Sequence, residues 1–170
     1  MTFLPDGAAA PPFEMTTVAT KRPVRVNGAR SAPLLLTFVS ANTAATARDV
    51  VIAVRRHVPA HSALQVANVV DLRSVPRLLR GTAQRIMESV YQRAVAEIPD
   101  EYDARDHLLL LPDWDGKLFA AYRVPDVGRW PALVAVDAAG RLHGSYHGEK
   151  PDEAAVALAQ SLTAESGRTA

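Results

Sequence analysis

Hydroxyl and amide side chains lie between an apolar segment and the helix predicted to follow it. Ser40, Asn42, Thr43 and Thr46 come directly after residues 33–39, a run with the length and composition of a buried strand. Open α/β sheets bind ligands at the carboxyl ends of strands, and a helix N-terminus attracts anions. The pattern therefore indicates a candidate ligand or partner surface. Capping of the helix by Asn42 or Thr43 explains the same residues without a ligand.

Two histidines near the C-terminus have a spacing that could suit a metal ion. His143, Ser145 and His147 alternate along a predicted strand, where alternate side chains share a face. A closed metal site usually has four ligands, and the sequence offers no obvious third or fourth. Surface histidines explain the pattern more simply, so we expect no metal and no other cofactor.

The tetrapeptide 113–116, Asp-Trp-Asp-Gly, begins like a calcium-binding loop. The remainder of such a loop, including its terminal glutamate, does not follow. The segment is therefore interpreted as a turn, with Trp114 as a packing or surface aromatic residue.

A group of arginines precedes and enters a long predicted helix, and it comprises Arg73, Arg77, Arg80 and Arg85. Such a group could face an anionic partner, although a solvated helix face with local acidic partners explains it more simply. The sequence lacks the motifs of nucleotide-binding sites and of hydrolase active sites. The glycine pattern matches neither a phosphate loop nor a dinucleotide fingerprint, and no nucleophile elbow supports a hydrolase.

Composition excludes several classes of function. The chain has 170 residues, a formal net charge of +1 and no cysteine. The small net charge gives no field for nucleic acid or anionic lipid, and the missing thiols exclude disulfides and thiolate metal sites. No basic, apolar leader begins the sequence and no apolar run reaches membrane-spanning length, so we expect a cytoplasmic protein that binds neither nucleic acid nor membrane.

Apolar periodicity predicts strands alternating with helices in the order β-β-β-α-β-α-β-α-β-β-α. This order favours a mixed central sheet with helices on both faces, in a single domain covering residues 1–170. Residues 1–12 should form an irregular arm, and residues 163–170 should fray. Expected strands cover about residues 13–18, 24–26, 33–39, 64–70, 107–111, 131–136 and 141–147, and expected helices cover about 43–58, 75–98, 117–123 and 151–162.

Two of these helices have predicted faces. In the first, Arg55 should lie on the wet side, opposite a valine stripe. In the long second helix, an apolar stripe should face the core: Leu79, Ala83, Ile86, Met87, Val90, Ala94 and Ile98. The segment 102–106 that follows this helix should be a charged surface loop.

Segments spread along the chain resemble the thioredoxin-like superfamily, most closely the redoxin branch of peroxiredoxins (AhpC/TSA-like proteins) and bacterial thiol-disulfide oxidoreductases. Residues 10–15 (APPFEM) resemble the A-P-x-F-x-L opening of that family, and residues 34–46 resemble its strand, turn and active-site helix. Residues 107–124 resemble its LLSD-x-x-G-x-x-A-x-x-Y-G-V block, and residues 130–141 its P-T-x-V-V-D-x-x-G hairpin. The resemblance implies a thioredoxin-like α/β fold.

The same resemblance implies that the family's chemistry is missing. Thr43 and Thr46 stand at the two cysteine positions, and a hydroxyl neither ionises like a thiol nor forms disulfides. Pro131 corresponds to the proline that is usually cis beside the reactive thiol, and an aromatic residue such as Trp130 before it favours the cis bond.

These observations favour a thioredoxin-fold protein without catalytic residues, acting as a binding or interaction module for an unidentified protein or peptide. Its partner surface would include Ser40, Asn42, Thr43, Thr46, Trp130 and Pro131. An alternative is a redoxin-type enzyme that uses a non-thiol or partner-supplied group, which would require Arg129, His143 or His147 to converge on Thr46. A homodimer is also possible, and exposure of Trp114, Trp130 or Tyr146 would favour it.

Overall fold

The computed structural model describes residues 2–98 and 100–167. The strands are β1 (Phe13–Thr16), β2 (Pro23–Val26), β3 (Leu34–Val39), β4 (Gln65–Asp71), β5 (Leu109–Asp113), β6 (Ala132–Val136) and β7 (Leu142–His147). The helices are α1 (Ala44–His57), α2 (Arg80–Val95), α3 (Ala104–His107), α4 (Lys117–Ala121) and α5 (Pro151–Ser166). A short 3₁₀ turn, Arg77–Leu79, leads into α2.

The predicted mixed α/β sheet is confirmed. Five strands pair in the order β5-β4-β3-β6-β7, while β1 and β2 form a separate antiparallel hairpin. Strand β3 runs parallel to β4 and antiparallel to β6. Every residue of this central strand is buried, because both faces of the sheet are covered.

Different elements cover the two faces of the sheet. Helices α1 and α5 pack on one face, where Leu35 and Leu133 meet Val50 and Ala159. The β1–β2 hairpin and α4 cover the other face, where the ring of Phe38 lies edge-on to that of Phe119, with centroids 5.0 Å apart. Packing on both faces fixes the position of the β3–α1 turn, which carries the predicted site.

The predicted buried face of the long second helix is correct at Met87 but wrong at Leu79, Ile86 and Val90. Helix α2 buries Met87 and Tyr91, whereas Leu79, Ile86 and Val90 are exposed. Met87 packs in a small cluster with Val18 and Leu72, outside the two main cores. The periodicity correctly identified the apolar side of this helix. The cluster of Val18 and Leu72 that packs on the helix is small, however, and covers only the part of that side that holds Met87.

Other local expectations also need correction. Arg55 is buried rather than on the wet side of α1. Its Nη1 donates to the carbonyl of Val58, at the end of α1, and to the carbonyl of Leu64, just before β4. The segment expected to be a loop contains α3, whose N-terminus is capped by Asp103 through the Arg105 N–H at 2.9 Å. Helix α5 continues to Ser166, beyond the point at which fraying was expected, and residues 168–170 lie outside the described residues.

The N-terminal segment 2–12 contains neither helix nor strand but is bonded to the sheet. The N–H of Gly7 donates to the Leu142 carbonyl at 2.7 Å, and the Leu142 N–H donates to the Ala8 carbonyl at 2.8 Å. Phe3 and Leu4 pack against the core face that holds Phe38. Within the described ranges, no helix combines the length and apolarity needed to cross a bilayer.

Candidate functional site

One edge of the sheet brings the predicted site residues together. Strand register aligns Val39 with Val70, Asp71 with Asp113, and Ala132 with both Phe38 and His147. The ends of β3, β4, β5 and β7 and the start of β6 therefore lie along this edge, which we call the site edge. It carries the Ser40–Thr43 turn, Trp114, and the loop that ends at Trp130 and Pro131.

The hydroxyl of Thr43 is buried and fully engaged within the protein. It accepts the backbone N–H of Ser40 at 3.0 Å and donates to the Val127 carbonyl at 3.1 Å. The hydroxyl of Ser40 donates to the same carbonyl at 3.2 Å. Thr43 occupies the N-cap position of α1, yet its side chain makes no capping bond to the helix, which corrects the expected capping role. The Thr43 hydroxyl therefore links the Ser40–Thr43 turn to Val127, in the segment before Pro131.

Thr46 differs from Thr43 in its surroundings. It lies in the first turn of α1 and is half-buried, and its hydroxyl makes no hydrogen bond within residues 2–98 and 100–167. Asn42 is exposed beside it. Among the described residues, neither threonine hydroxyl is hydrogen-bonded to a histidine or carboxylate, the groups that activate a hydroxyl nucleophile.

Trp130 is the centre of a short stack at the site edge. The guanidinium of Arg129 lies over its ring at 4.3 Å from the centroid, and the ring of His147 meets it edge-on at 6.1 Å. Nε2 of His147 is buried and has no hydrogen-bond partner among the described residues. An arginine over an indole face is a favourable cation–π arrangement. Sequence reasoning named Trp130 but missed this stack, whose only signal was the adjacency of the two residues.

The expected cis bond before Pro131 is wrong. None of the peptide bonds in the part of the chain that the structure describes is cis, so Trp130–Pro131 is trans. The trans form is the default for X–Pro bonds, and an aromatic residue before proline shifts that preference without reversing it. Pro131 itself is buried at the start of β6.

The two histidines of the predicted strand do not share a face, which corrects that expectation. A bulge between the pairs Ala135–Gly144 and Val136–Leu142 leaves His143 as an extra residue. His143 turns to α5, where its Nε2 lies 2.7 Å from Ser161 Oγ and its Nδ1 lies 3.2 Å from Glu165. His147 instead meets Trp130. Within the described ranges, no group of three or more potential ligands could hold a metal ion.

The alternative of a redoxin-type enzyme with a non-thiol group requires Arg129, His143 or His147 to converge on Thr46. Neither Arg129 nor His143 nor His147 makes a hydrogen bond or ion pair with Thr46 in the described part of the chain. The convergence that such an enzyme requires is therefore not found among these contacts.

The turn at 113–116 is a helix cap. Both carboxylate oxygens of Asp113 are used by backbone N–H groups: Oδ1 accepts from Lys117 at 3.0 Å, and Oδ2 accepts from Leu118 at 2.9 Å and Phe119 at 3.1 Å. Gly116 has a φ of 69°, the left-handed conformation that favours glycine. The segment is therefore a turn, as predicted, and the structure adds that the Asp113 carboxylate accepts hydrogen bonds from the N-terminus of α4.

Arg73 and Arg80, two arginines of the group singled out in the sequence, also stack on aromatic rings along the site edge. Arg73 lies over Phe119 at 5.0 Å and pairs with Asp71, and Arg80 lies over Trp114 at 5.4 Å and pairs with Asp115. Hydrogen bonds from these guanidinium groups lower the pKa of both aspartates. Arg129 has no such carboxylate among the described residues, which leaves its charge available to a ligand.

Comparisons with known proteins identify the fold. No family model matches the chain, and no curated protein matches it. Among solved structures, an exposed lipoprotein thioredoxin from Streptococcus pneumoniae strain TIGR4 is 18% identical, with a TM-score of 0.63, over 89% of this chain and 99% of that one. A Bacteroides thetaiotaomicron protein assigned as a protein disulfide isomerase is 13% identical, with a TM-score of 0.66, over 99% and 98%.

A secreted disulfide oxidoreductase from Mycobacterium tuberculosis is also similar, at 19% identity and a TM-score of 0.53 over 88% of this chain and 96% of that one. The chain therefore has a thioredoxin-like fold, which confirms the fold predicted from sequence. It shares that fold with disulfide oxidoreductases, yet it contains no cysteine.

Proposed function

We propose that this chain is a non-catalytic binding module that holds an extended peptide at the site edge. The observation that carries the proposal is the state of Thr43. At Thr43, one of the two positions where the resemblance places a cysteine, a buried hydroxyl both accepts and donates a hydrogen bond within the protein itself. Such a group supports the turn and is not available to react.

Recognition would come from the groups around that turn. Asn42 offers an exposed amide, and the Arg129–Trp130 stack offers a flat cationic surface without a carboxylate partner. Arginine on an aromatic platform suits acidic or aromatic side chains, and the resemblance implies that the site edge receives extended chains. The module would therefore prefer peptides that carry Asp or Glu.

Binding can be measured through Trp130 itself. In a Trp114→Phe background Trp130 is the remaining tryptophan, so its emission reports the site edge. A panel of extended peptides with Asp/Glu or Lys at matched positions is titrated into this protein. We expect the acidic peptides to shift the emission, and Arg129→Gln to weaken their binding by about 10-fold. Equal binding of acidic and basic peptides, or no binding, contradicts the proposed preference.

Absence of thiol chemistry is tested separately. The purified chain is mixed with hydrogen peroxide, and then with insulin and dithiothreitol. We expect rates equal to the protein-free background, because no residue can form a disulfide or a sulfenic acid. Turnover above background by the isolated chain would overturn the non-catalytic assignment.

A further inference from the structure

Helix α2 and the turn before it expose a row of large apolar side chains. The exposed fractions are 97% for Leu78, 54% for Leu79, 59% for Ile86 and 46% for Val90. Leu79, Ile86 and Val90 share one face, because positions seven and eleven residues apart align on a helix. We call Leu78, Leu79, Ile86 and Val90 together the α2 stripe.

None of the residues of the α2 stripe belongs to the apolar clusters that the structure describes. Helix α2 is attached through Met87 and Tyr91, which lie on the adjacent sector of the helix. Of the large apolar residues that are exposed in the described ranges, only Ile52 of α1 lies outside the stripe. Scattered apolar residues are normal on a surface, whereas a contiguous exposed row marks an interaction site.

Positive charge borders the α2 stripe. Arg77, Arg85 and Arg93 are exposed, and none of them forms an ion pair with a described residue. Of the acidic groups nearby, Glu88 accepts a hydrogen bond from the neutral Gln84 amide at 3.0 Å, and Asp115 pairs with Arg80. None of the three arginines is therefore in direct contact with a described carboxylate, and positive charge adjoins the apolar row.

We infer that the α2 stripe docks an amphipathic helix of a partner protein, with an apolar ridge flanked by Asp or Glu. An apolar ridge spaced at helical intervals would pack between Leu79, Ile86 and Val90, and acidic flanks would meet the arginines. The inference goes beyond the proposed function, since it concerns a different surface and a different kind of ligand.

Other occupants fit the α2 stripe less well. A second copy packed through the same stripe would place arginines against arginines, and like charges facing each other across an interface are unfavourable. A helix lying in a membrane buries a broad face that is usually rich in Trp, Phe and Leu. Here α2 is held to the body by Met87 and Tyr91, and its outward stripe contains no aromatic residue.

The test uses the full chain and a synthetic helical peptide of about 18 residues, with Leu at helical spacing and Glu on both flanks. Binding is followed by fluorescence anisotropy, and chemical shifts of labelled protein locate the contact. Ile86→Ser should weaken binding about 10-fold, and Arg85→Glu should weaken it and improve binding of a Lys-flanked peptide. Ile52→Ser, an exposed isoleucine on α1, is the matched control and should change nothing.

Several results would overturn the inference. These are equal affinity for Glu- and Lys-flanked peptides, no binding up to about 1 mM, or self-association in sedimentation that Ile86→Ser abolishes. Binding to phosphatidylserine vesicles with no binding to the peptide would assign the stripe to a membrane instead. Trp130→Ala leaves the α2 stripe intact, so loss of peptide binding at the site edge and loss of helix binding at α2 can be told apart.

Discussion

Thr43 and Thr46 are chemically identical residues with different roles, and a pair of substitutions separates them. Thr43→Val keeps the shape but leaves the Ser40 N–H without its acceptor, and it removes one of the two hydroxyl groups that donate to the Val127 carbonyl. We expect a loss of about 1–3 kcal/mol in the free energy of unfolding, because polar groups in a partly buried turn lose their hydrogen bonds. Thr46→Val, which removes no such bond, should cost less than about 0.5 kcal/mol. Urea titrations measure both, and equal effects would contradict the assigned role of Thr43.

His107 gives the protein a pH-dependent stability. Burial lowers the pKa of His107, and the positive charges of Arg55 and His61 lower it further. The ring of Tyr102 stacks on His107 at 5.0 Å, and the nearby Asp106 is shared between Arg22 and His61. The folded protein therefore binds this proton more weakly than the unfolded chain does.

It follows that the stabilising contribution is complete above the unfolded pKa of about 6.5 and is lost as pH falls towards the lower folded pKa. We expect the free energy of unfolding to decrease between about pH 7.5 and pH 5.5. His107→Gln should flatten this slope, whereas His57→Gln, at an exposed histidine, should retain it. The same slope in His107→Gln and the wild type would contradict the assignment to His107.

At the scale of elements, α2 is the least anchored of the long helices. It buries only Met87 and Tyr91 along Arg80–Val95, whereas α1 and α5 pack on the central sheet. Regions with few buried apolar contacts open locally at low free energy. Backbone amides of α2 should therefore exchange with deuterium faster than those of α5 at the same pH. Mass spectrometry of peptic peptides measures this, and equal protection of the two helices would refute it.

How far the sequence predicts these elements depends on what covers them. Strand β3 is apolar at every position except Thr37 and both of its faces are covered, so its burial could be predicted from residue type. The stripe of α2 is equally apolar, yet its exposure depends on the small cluster beneath Met87, which no local pattern encodes. His143 was placed on the wrong face because a single extra residue in β7 reverses the alternation.

The candidate site shows the same limit. Its position at the end of β3 could be predicted, because strand ends and helix starts are marked by the change from apolar to polar residues. The acceptor for Thr43, the Val127 carbonyl, is 84 residues away along the chain. Such a bond is set by how β6 pairs with β3, so only the folded structure shows it.

At the scale of the whole molecule, the N-terminal segment covers the edge strand β7 of the central sheet. Residues 7–8 bond to Leu142 along the outer edge of β7, and Arg141 Nη1 donates to the Gly7 carbonyl at 3.0 Å. Phe3 and Leu4 add apolar cover over the same strand. Natural sheets protect an edge strand in this way, because unpaired N–H and C=O groups template aggregation.

Deletion of residues 2–8 should therefore both destabilise the protein and expose β7. We expect the free energy of unfolding to fall by about 3–6 kcal/mol, from lost apolar burial and several lost hydrogen bonds. Phe3→Ala with Leu4→Ala is the matched control: it removes the apolar cover but keeps the backbone bonds, so it should lose stability without aggregating. Urea unfolding and light scattering separate the two effects. An unchanged unfolding midpoint in the deleted protein would show that this segment lies on the sheet without stabilising it.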